Sequence, residues 1–317
     1  MDEYNRILQN EYGIVANKVF PITGGWSALA YKIESENGTF FLKVYEKQKI
    51  LTDSQLKKLD LCMNVVSWLE RNTALQGKIN TPVLTKRSDV MVETQDYSYL
   101  LFSYIDGITP QTTPLTISQQ KELAEISGEL HRHGTDIPFD LSSIQETYEI
   151  PCAELSSMKY NLNDSLCVHR HYDMIMRAIE QAHNMAERVK SIGLPHVLCH
   201  TDIHGWNLIQ SSRLVLIDWE SIKLAPAEAD LYTFWGDWYW GDSKWGSYWE
   251  TFLPIYQQLC PWYIVNEDNL RFYQIRRHIE DINDFYRQYL YDDMTENETN
   301  EVISCLEREC RFLDTLL

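Results

Sequence analysis

Three polar residues in the second half of the 317-residue chain stand at separations that phosphoryl chemistry can use. Asp202 and Asn207 are spaced Asp-x-x-x-x-Asn in a loop after an apolar run, and Asp218 closes the next apolar run, Leu214–Ile217. A carboxylate so placed can orient an attacking hydroxyl and take its proton. An amide oxygen and a second carboxylate then supply the hard oxygen ligands that Mg²⁺ prefers. Any one Asp or Asn alone reads more simply as a turn or cap residue. Here order, spacing and strand context act jointly. Zinc is the competing chemistry, because His200 and His204 lie four apart near Cys199 and His196. A helical zinc motif would carry Glu at position 201, which is Thr, and Gly205 argues for a loop. His200 is expected instead as a buried, hydrogen-bonded support of that loop, and Asp230 as its buttress.

The block His200-Thr201-Asp202-Ile203-His204 with Asn207, then Ile217-Asp218-Trp219-Glu220 and Ala225-Pro226-Ala227-Glu228-Ala229-Asp230-Leu231, resembles the aminoglycoside phosphotransferase and choline kinase superfamily. Protein kinases carry His-Arg-Asp and Asp-Phe-Gly at these places. The tract Tyr273–Leu290 is similar to the C-terminal helix of spectinomycin phosphotransferases. The resemblance implies an α+β, bilobal, protein-kinase-like fold, with a small β-rich N-lobe and a larger, mainly helical C-lobe. It implies Asp202 as the catalytic carboxylate, Asn207 and Asp218 as metal ligands, and His204 as a second loop-supporting histidine. The activity implied is Mg²⁺-dependent transfer of the γ-phosphoryl of ATP or GTP to a hydroxyl of an aminoglycoside or aminocyclitol antibiotic, with spectinomycin the first choice. A metabolic acceptor such as homoserine, choline, an amino alcohol or a thiosugar is the alternative within the enzyme class. A nucleotide-binding regulator without turnover is the alternative outside it. No match to the Ala-Pro-Glu segment of protein kinases appears.

Elements that could position these residues are legible on both sides. Ala28–Glu34 and Thr39–Tyr45 read as strands about an Asn37–Gly38 turn, and Asp53–Arg71 has apolar residues at helical spacing. Lys43, a single cation among Phe40, Phe41, Leu42 and Val44, is the candidate to meet nucleotide phosphates, against an edge lysine that merely guards a strand. Asp60 on the following helix is its expected carboxylate partner. Gly24, Gly25 and Ser27 fall where a phosphate-covering loop belongs, since glycines let backbone amides approach an anion. By analogy with the family, the Ser103 carbonyl and Ile105 amide read the adenine edge. The organisation expected is a nucleotide-binding lobe over 1–104, a linker over 105–115 and a helical lobe over 116–317. Helices are expected at roughly 116–134, 168–191, 227–239, 246–259, 267–290 and 295–316, interrupted by a strand-rich island around 197–218.

The acceptor end is read from aromatic and acidic side chains. Five tryptophans, 235, 238, 240, 245 and 249, crowd into fifteen residues with Asp237 and Asp242. Trp235, Trp238 and Asp237 would suit a cationic, sugar-like ligand, although two packed helices would give the same pattern. Glu220, one residue from Trp219 and two from Asp218, is a further acceptor candidate, as is Asp281. Arg276–Glu280 and Arg277–Asp281 are i, i+4 pairs that also fit a solvated helix face. With 28 basic and 46 acidic residues the formal charge is −18, which disfavours nucleic acid and anionic membrane partners. It is compatible with a cationic acceptor. No apolar run approaches a membrane span, the N-terminus lacks a signal-peptide pattern, and seven scattered cysteines suit a reducing compartment, so a cytoplasmic monomer or homodimer is expected.

Overall fold

The computed structural model describes residues 2–22, 28–47, 53–159, 166–236, 239–240, 243–244 and 248–317. A five-stranded antiparallel sheet in the order β1-β2-β3-β5-β4 forms the first part. Its strands are β1 (Ala16–Ile22), β2 (Leu29–Ser35), β3 (Gly38–Glu46), β4 (Val92–Glu93) and β5 (Tyr97–Ser103). Period-2 alternation along β3 sends Leu42 and Val44 to one face, where they pack under helix α1 (Asp2–Ile7) with Ile33 and Leu101. Each such buried side chain contributes roughly 1.5–3 kcal/mol. Phe41, Lys43 and Tyr45 take the opposite face, toward helix α2 (Asp53–Asn72) and the main core.

The β2–β3 hairpin forms as expected, but its turn lies one residue earlier. Ser35 pairs with Gly38, so Glu36–Asn37 are the turn, and Gly38, at φ 126°, opens β3 in a conformation that suits glycine. The Ser35 hydroxyl accepts from the Asn37 amide and donates to the Gly38 carbonyl, which fixes that register.

The remainder is mainly helical: α3 (Ile117–Leu130), α4 (Tyr172–Ile192), α5 (Trp249–Leu259), α6 (Glu267–Tyr291) and α7 (Glu296–Leu316). Thr116 with Gln119 and Thr295 with Glu298 form capping boxes that start α3 and α7. Two small antiparallel pairs interrupt, β6 (His196–Cys199) with β9 (Lys223–Pro226) and β7 (Leu208–Gln210) with β8 (Leu214–Leu216). The helix expected over 227–239 is not formed as such. A helical turn, Glu228–Leu231, passes into a tight turn at Tyr232–Phe234, Gly236 adopts φ 66°, and a short strand pair, β10 (Tyr239–Trp240) with β11 (Ser243–Lys244), follows. A left-handed glycine is a stop signal that hydrophobic periodicity alone ignores.

Between β5 and α3 the chain is stitched to the β7–β8 pair. Ile108 and Gln210 exchange both backbone hydrogen bonds, at 2.9 and 2.8 Å, and the Gln111 amide donates to the Gly205 carbonyl at 3.0 Å. Gly107 must be glycine there, because a Cβ would stand 2.6 Å from the Gln210 carbonyl oxygen.

Candidate active site

The β7–β8 register explains how two distant polar residues meet. Leu208 faces Leu216, and one step outward the Ile217 amide donates to the Asn207 carbonyl at 2.9 Å, so Asn207 and Asp218 emerge at the same open end of the hairpin. Asp218 holds φ 71° and Thr201 φ 67°. Left-handed backbone at a threonine and an aspartate costs energy and persists only where neighbours over-determine it.

Those neighbours surround the 200–207 loop. The buried Asp230 accepts from the His200 amide at 2.9 Å and the Thr201 amide at 2.6 Å, and its Oδ2 lies 2.9 Å from Nε2 of His131. Thr201 Oγ1 donates to the Ser221 carbonyl, tying the loop to the chain just past Asp218. His200, fully buried, accepts the Asp202 amide on Nδ1 and donates from Nε2 to the Ile217 carbonyl at 3.0 Å. Burial pushes its pKa below the ordinary value, so a neutral ring with its proton on Nε2 fits both partners. His204 accepts the Trp206 amide on Nδ1, leaving its proton on Nε2, which lies 3.3 Å from Asp202 Oδ1. The three expected loop supports, His200, His204 and Asp230, thus converge on one loop.

Asp202 is held by more than the loop. Asn207 Nδ2 donates to its carbonyl at 2.9 Å and to Oδ2 at 2.8 Å, while Nη1 of Arg277, on α6, donates to Oδ1 at 2.9 Å. Burial would raise the Asp202 pKa, but the Nε2–H of His204 and the charge of Arg277 outweigh it and hold the group well below the usual carboxylate range. Arg277 Nε in turn reaches both oxygens of Asp281, at 2.9 and 3.1 Å. Asp281 therefore lies one residue from the loop, through Arg277.

Beyond Asp218, Lys43 occupies the central strand, paired across to Ala30 and Leu100, and is not an edge lysine. Its Nζ donates to Asp218 Oδ1 at 2.9 Å and to Glu220 Oε1 at 2.6 Å, and the Tyr45 hydroxyl also donates to Glu220 Oε1. Burial would lower the Lys43 pKa, but Glu220 and Asp218 raise it above the ordinary value. For Glu220 burial and the Asp218 charge push the carboxyl up despite Lys43. Two expectations are corrected here. Asp60 is not the partner of Lys43: α2 turns Leu59, Cys62 and Met63 inward and leaves Asp60 exposed, with its carboxylate on Asn64 Nδ2. Glu220 stands at the lysine rather than at an acceptor wall, because the chain past Asp218 runs back under β3.

Ser103 ends β5, and the Tyr104 amide donates to the Thr39 carbonyl, so strand alternation turns the Ser103 carbonyl to the edge away from β3; Ile105 is half-buried just beyond. Trp235 is half-buried and packs against the core, and its carbonyl accepts from Gln274. Gly24, Gly25, Ser27, Asp237 and Trp238 lie outside the described residues.

Zinc finds no set of ligands at the loop. His196 is engaged by Gln145 and Tyr148, and the Cys199 thiol faces backbone carbonyls. Among the described residues one trio of potential ligands clusters, His131, Cys199 and Asp230. Its His131 and Asp230 are already spent on each other, on Tyr256 and on the loop amides.

Sequence reasoning missed His131, Tyr256 and Arg277. For Arg277 the i, i+4 pairing with Asp281 was visible, but its second carboxylate, Asp202, comes from a loop 75 positions upstream.

The chain belongs to the phosphotransferase enzyme family, whose sequence model matches residues 18–263, and it is a phosphotransferase with a hydroxyl acceptor. No curated protein matches it by sequence. Among solved structures it is similar to spectinomycin phosphotransferase in complex with ADP and spectinomycin, at a TM-score of 0.74 and 20% identity over 100% of this chain and 98% of that one. A microcompartment-associated aminopropanol kinase matches at 0.66 and 12% identity, over 99% and 98% of the two chains. Choline kinase from Streptococcus pneumoniae matches at 0.60 and 16% identity, over 97% and 98%. At these identities the likeness is one of fold, and that fold is the bilobal, kinase-like α+β arrangement. No described helix is long and apolar enough to cross a membrane.

Proposed function

We propose that the chain is a Mg²⁺-dependent small-molecule O-phosphotransferase that moves the γ-phosphoryl of ATP or GTP to a hydroxyl of an aminocyclitol or aminoglycoside antibiotic, with spectinomycin the first candidate and resistance the consequence. The observation that carries this reading is the meeting of Asp202, Asn207, Asp218 and Lys43 across one cleft. Asp202 Oδ2 orients the acceptor hydroxyl and takes its proton as the oxygen bonds to the γ-phosphorus and the bond to the β-phosphate oxygen breaks. The nucleoside diphosphate leaves. A depressed pKa does not disqualify Asp202, because a loose phosphoryl-transfer transition state asks more for alignment than for basicity. Lys43 has three N–H donors and spends two on carboxylates, so the third can meet a phosphate oxygen.

Asn207 and Asp218 fit a hard cation: the Asn207 amide nitrogen is committed to Asp202, which turns its oxygen outward, and Asp218 keeps a half-exposed carboxylate with one oxygen on Lys43. Mg²⁺ held there would neutralise the charge of the transferring phosphates.

The acceptor reading rests on the extent of the fold likeness to spectinomycin phosphotransferase and on Asp281, an acidic side chain joined to the loop through Arg277. A metabolic amino alcohol is the second reading, favoured by the likeness to aminopropanol and choline kinases. Both acceptor classes join a cation to a hydroxyl. The location implied is the cytoplasm, where ATP is abundant and buried thiols stay reduced. A panel of spectinomycin, aminoglycosides, aminopropanol, choline and homoserine with labelled ATP and GTP tests the reading. Label transferred to spectinomycin supports it; label on an amino alcohol alone moves the acceptor to metabolism. Tight nucleotide binding with no transfer to anything would make the chain a regulator.

A further inference from the structure

The Asp202 carboxylate can accept about four hydrogen bonds, two per oxygen. Oδ1 faces two donors, Arg277 Nη1 at 2.9 Å and His204 Nε2 at 3.3 Å, and Oδ2 faces Asn207 Nδ2 at 2.8 Å. One acceptor direction, on Oδ2, is left for an incoming hydroxyl. Two of the three restraints come from the loop itself. The third comes from a helix more than seventy residues downstream, whose own position is fixed by Arg276 on Glu146 at 2.9 Å and by Gln274 on the carbonyls of Tyr232 and Trp235. Asp281 accepts from Arg277 Nε through both its oxygens, which anchors the guanidinium at a second point.

We propose that Arg277 is a positioning residue for the phosphoryl transfer: held by Asp281, it saturates Oδ1 of Asp202 and so leaves Oδ2 as the atom that receives the acceptor hydroxyl. Without it the carboxylate rotates about χ2 and presents either oxygen, and the hydroxyl loses its alignment with the γ-phosphorus. The Arg277 guanidinium is committed to Asp202 and Asp281, so nucleotide affinity should not depend on it. The role rests on the phosphotransferase reading.

The test is γ-phosphoryl release from labelled ATP with Mg²⁺, with spectinomycin as the acceptor probe and water as the fallback acceptor. Misplacing a reacting group by about 1 Å costs on the order of 10²-fold, so Arg277→Ala should lower kcat about 100-fold while the KM for ATP stays within about two-fold. Methylguanidinium should restore at least a tenth of the lost rate to Arg277→Ala and nothing to Asp202→Asn. Because Arg277→Ala strands Asp281, the double variant Arg277→Met with Asp281→Met, which removes that stranded carboxylate, should show the same kcat loss in a folded protein. An active wild type whose kcat is unchanged in the double variant would overturn the positioning role alone. So would a loss that appears only in the KM for ATP, or one that methylguanidinium cannot relieve. A wild type that releases no phosphate to any acceptor or to water would overturn the phosphotransferase reading, and this role with it.

Discussion

Two ends of one site solve the same electrostatic problem with different cations. At one end Lys43 sits between Asp218 and Glu220; at the other Arg277 sits between Asp202 and Asp281. In each a single positive charge makes two neighbouring carboxylates tolerable. The choice of cation differs with the task. Lysine is a point charge on a flexible stem with a donor to spare, suited to passing between carboxylates and phosphate. Arginine is a planar fork, suited to fixing one carboxylate against another. A lysine for exchange and an arginine for restraint are what a transfer site between a mobile anion and a fixed base requires.

The largest break in this symmetry comes from removing the base. Asp202→Asn should cut kcat about 10³-fold while leaving the nucleotide Kd within about three-fold, because the amide still accepts from Arg277 but takes no proton. Equal loss of binding and turnover, read by isothermal titration beside a steady-state assay, would remove Asp202 from its assigned place. Next in size is Lys43→Met, for which kcat/KM for ATP should fall about 10²-fold. Asp60→Ala, the substitution that an N-lobe ion pair would make costly, should change it by less than about two-fold. If Asp60→Ala is the more damaging of the pair, the lysine belongs to α2 and not to the chain past Asp218.

A test read on stability rather than turnover sharpens the comparison by leaving out the cation. Glu228 is buried, and among the described residues no basic side chain forms an ion pair with it; burial pushes its pKa up to about 7, whereas Asp202, with Arg277, is held low. A carboxyl raised in the folded state binds more protons there than in the unfolded chain, so its stability contribution is complete below the unfolded pKa near 4.5 and is lost as pH rises to about 7. Glu228→Gln should therefore match the wild type in acid and exceed it at pH 8 by about 3 kcal/mol, at 1.36 kcal/mol per pKa unit. Thermal unfolding across pH 5 to 8 checks this; a gap that is constant with pH would mean that Glu228 does not titrate in that window.

How much of this was legible depends on how local the cause is. Asp202, Asn207 and Asp218 could be read from spacing because one loop and the hairpin after it, β7–β8, set their relation within seventeen residues. Lys43 could be read because a lone cation in an apolar strand has few reasons to exist. Its partner could not: choosing between Asp60 and Glu220 requires knowing which face of α2 turns inward and where the chain runs after Asp218. Arg277 was visible as half of an i, i+4 pair and misread as solvated, since its second carboxylate, Asp202, is 75 positions away. The helix over 227–239 failed locally: it gives way to a tight turn at Tyr232–Phe234, Trp235 is extended and Gly236 is left-handed, none of which apolar periodicity encodes.

The stitched segment after β5 has a mechanical consequence. Tyr104 is pinned to β3, Ile108 to β7 and Gln111 to the 200–207 loop, and Gly107 has no room for a methyl group. Any swing of the five-stranded sheet over the loop must therefore turn at residues 105–107 and, in step, at a second crossing, where Leu216 of β8 exchanges backbone hydrogen bonds with Lys78 and Asn80. Two tethers so short transmit angle rather than slack, and a small twist at them moves Lys43 against the carboxylates it serves.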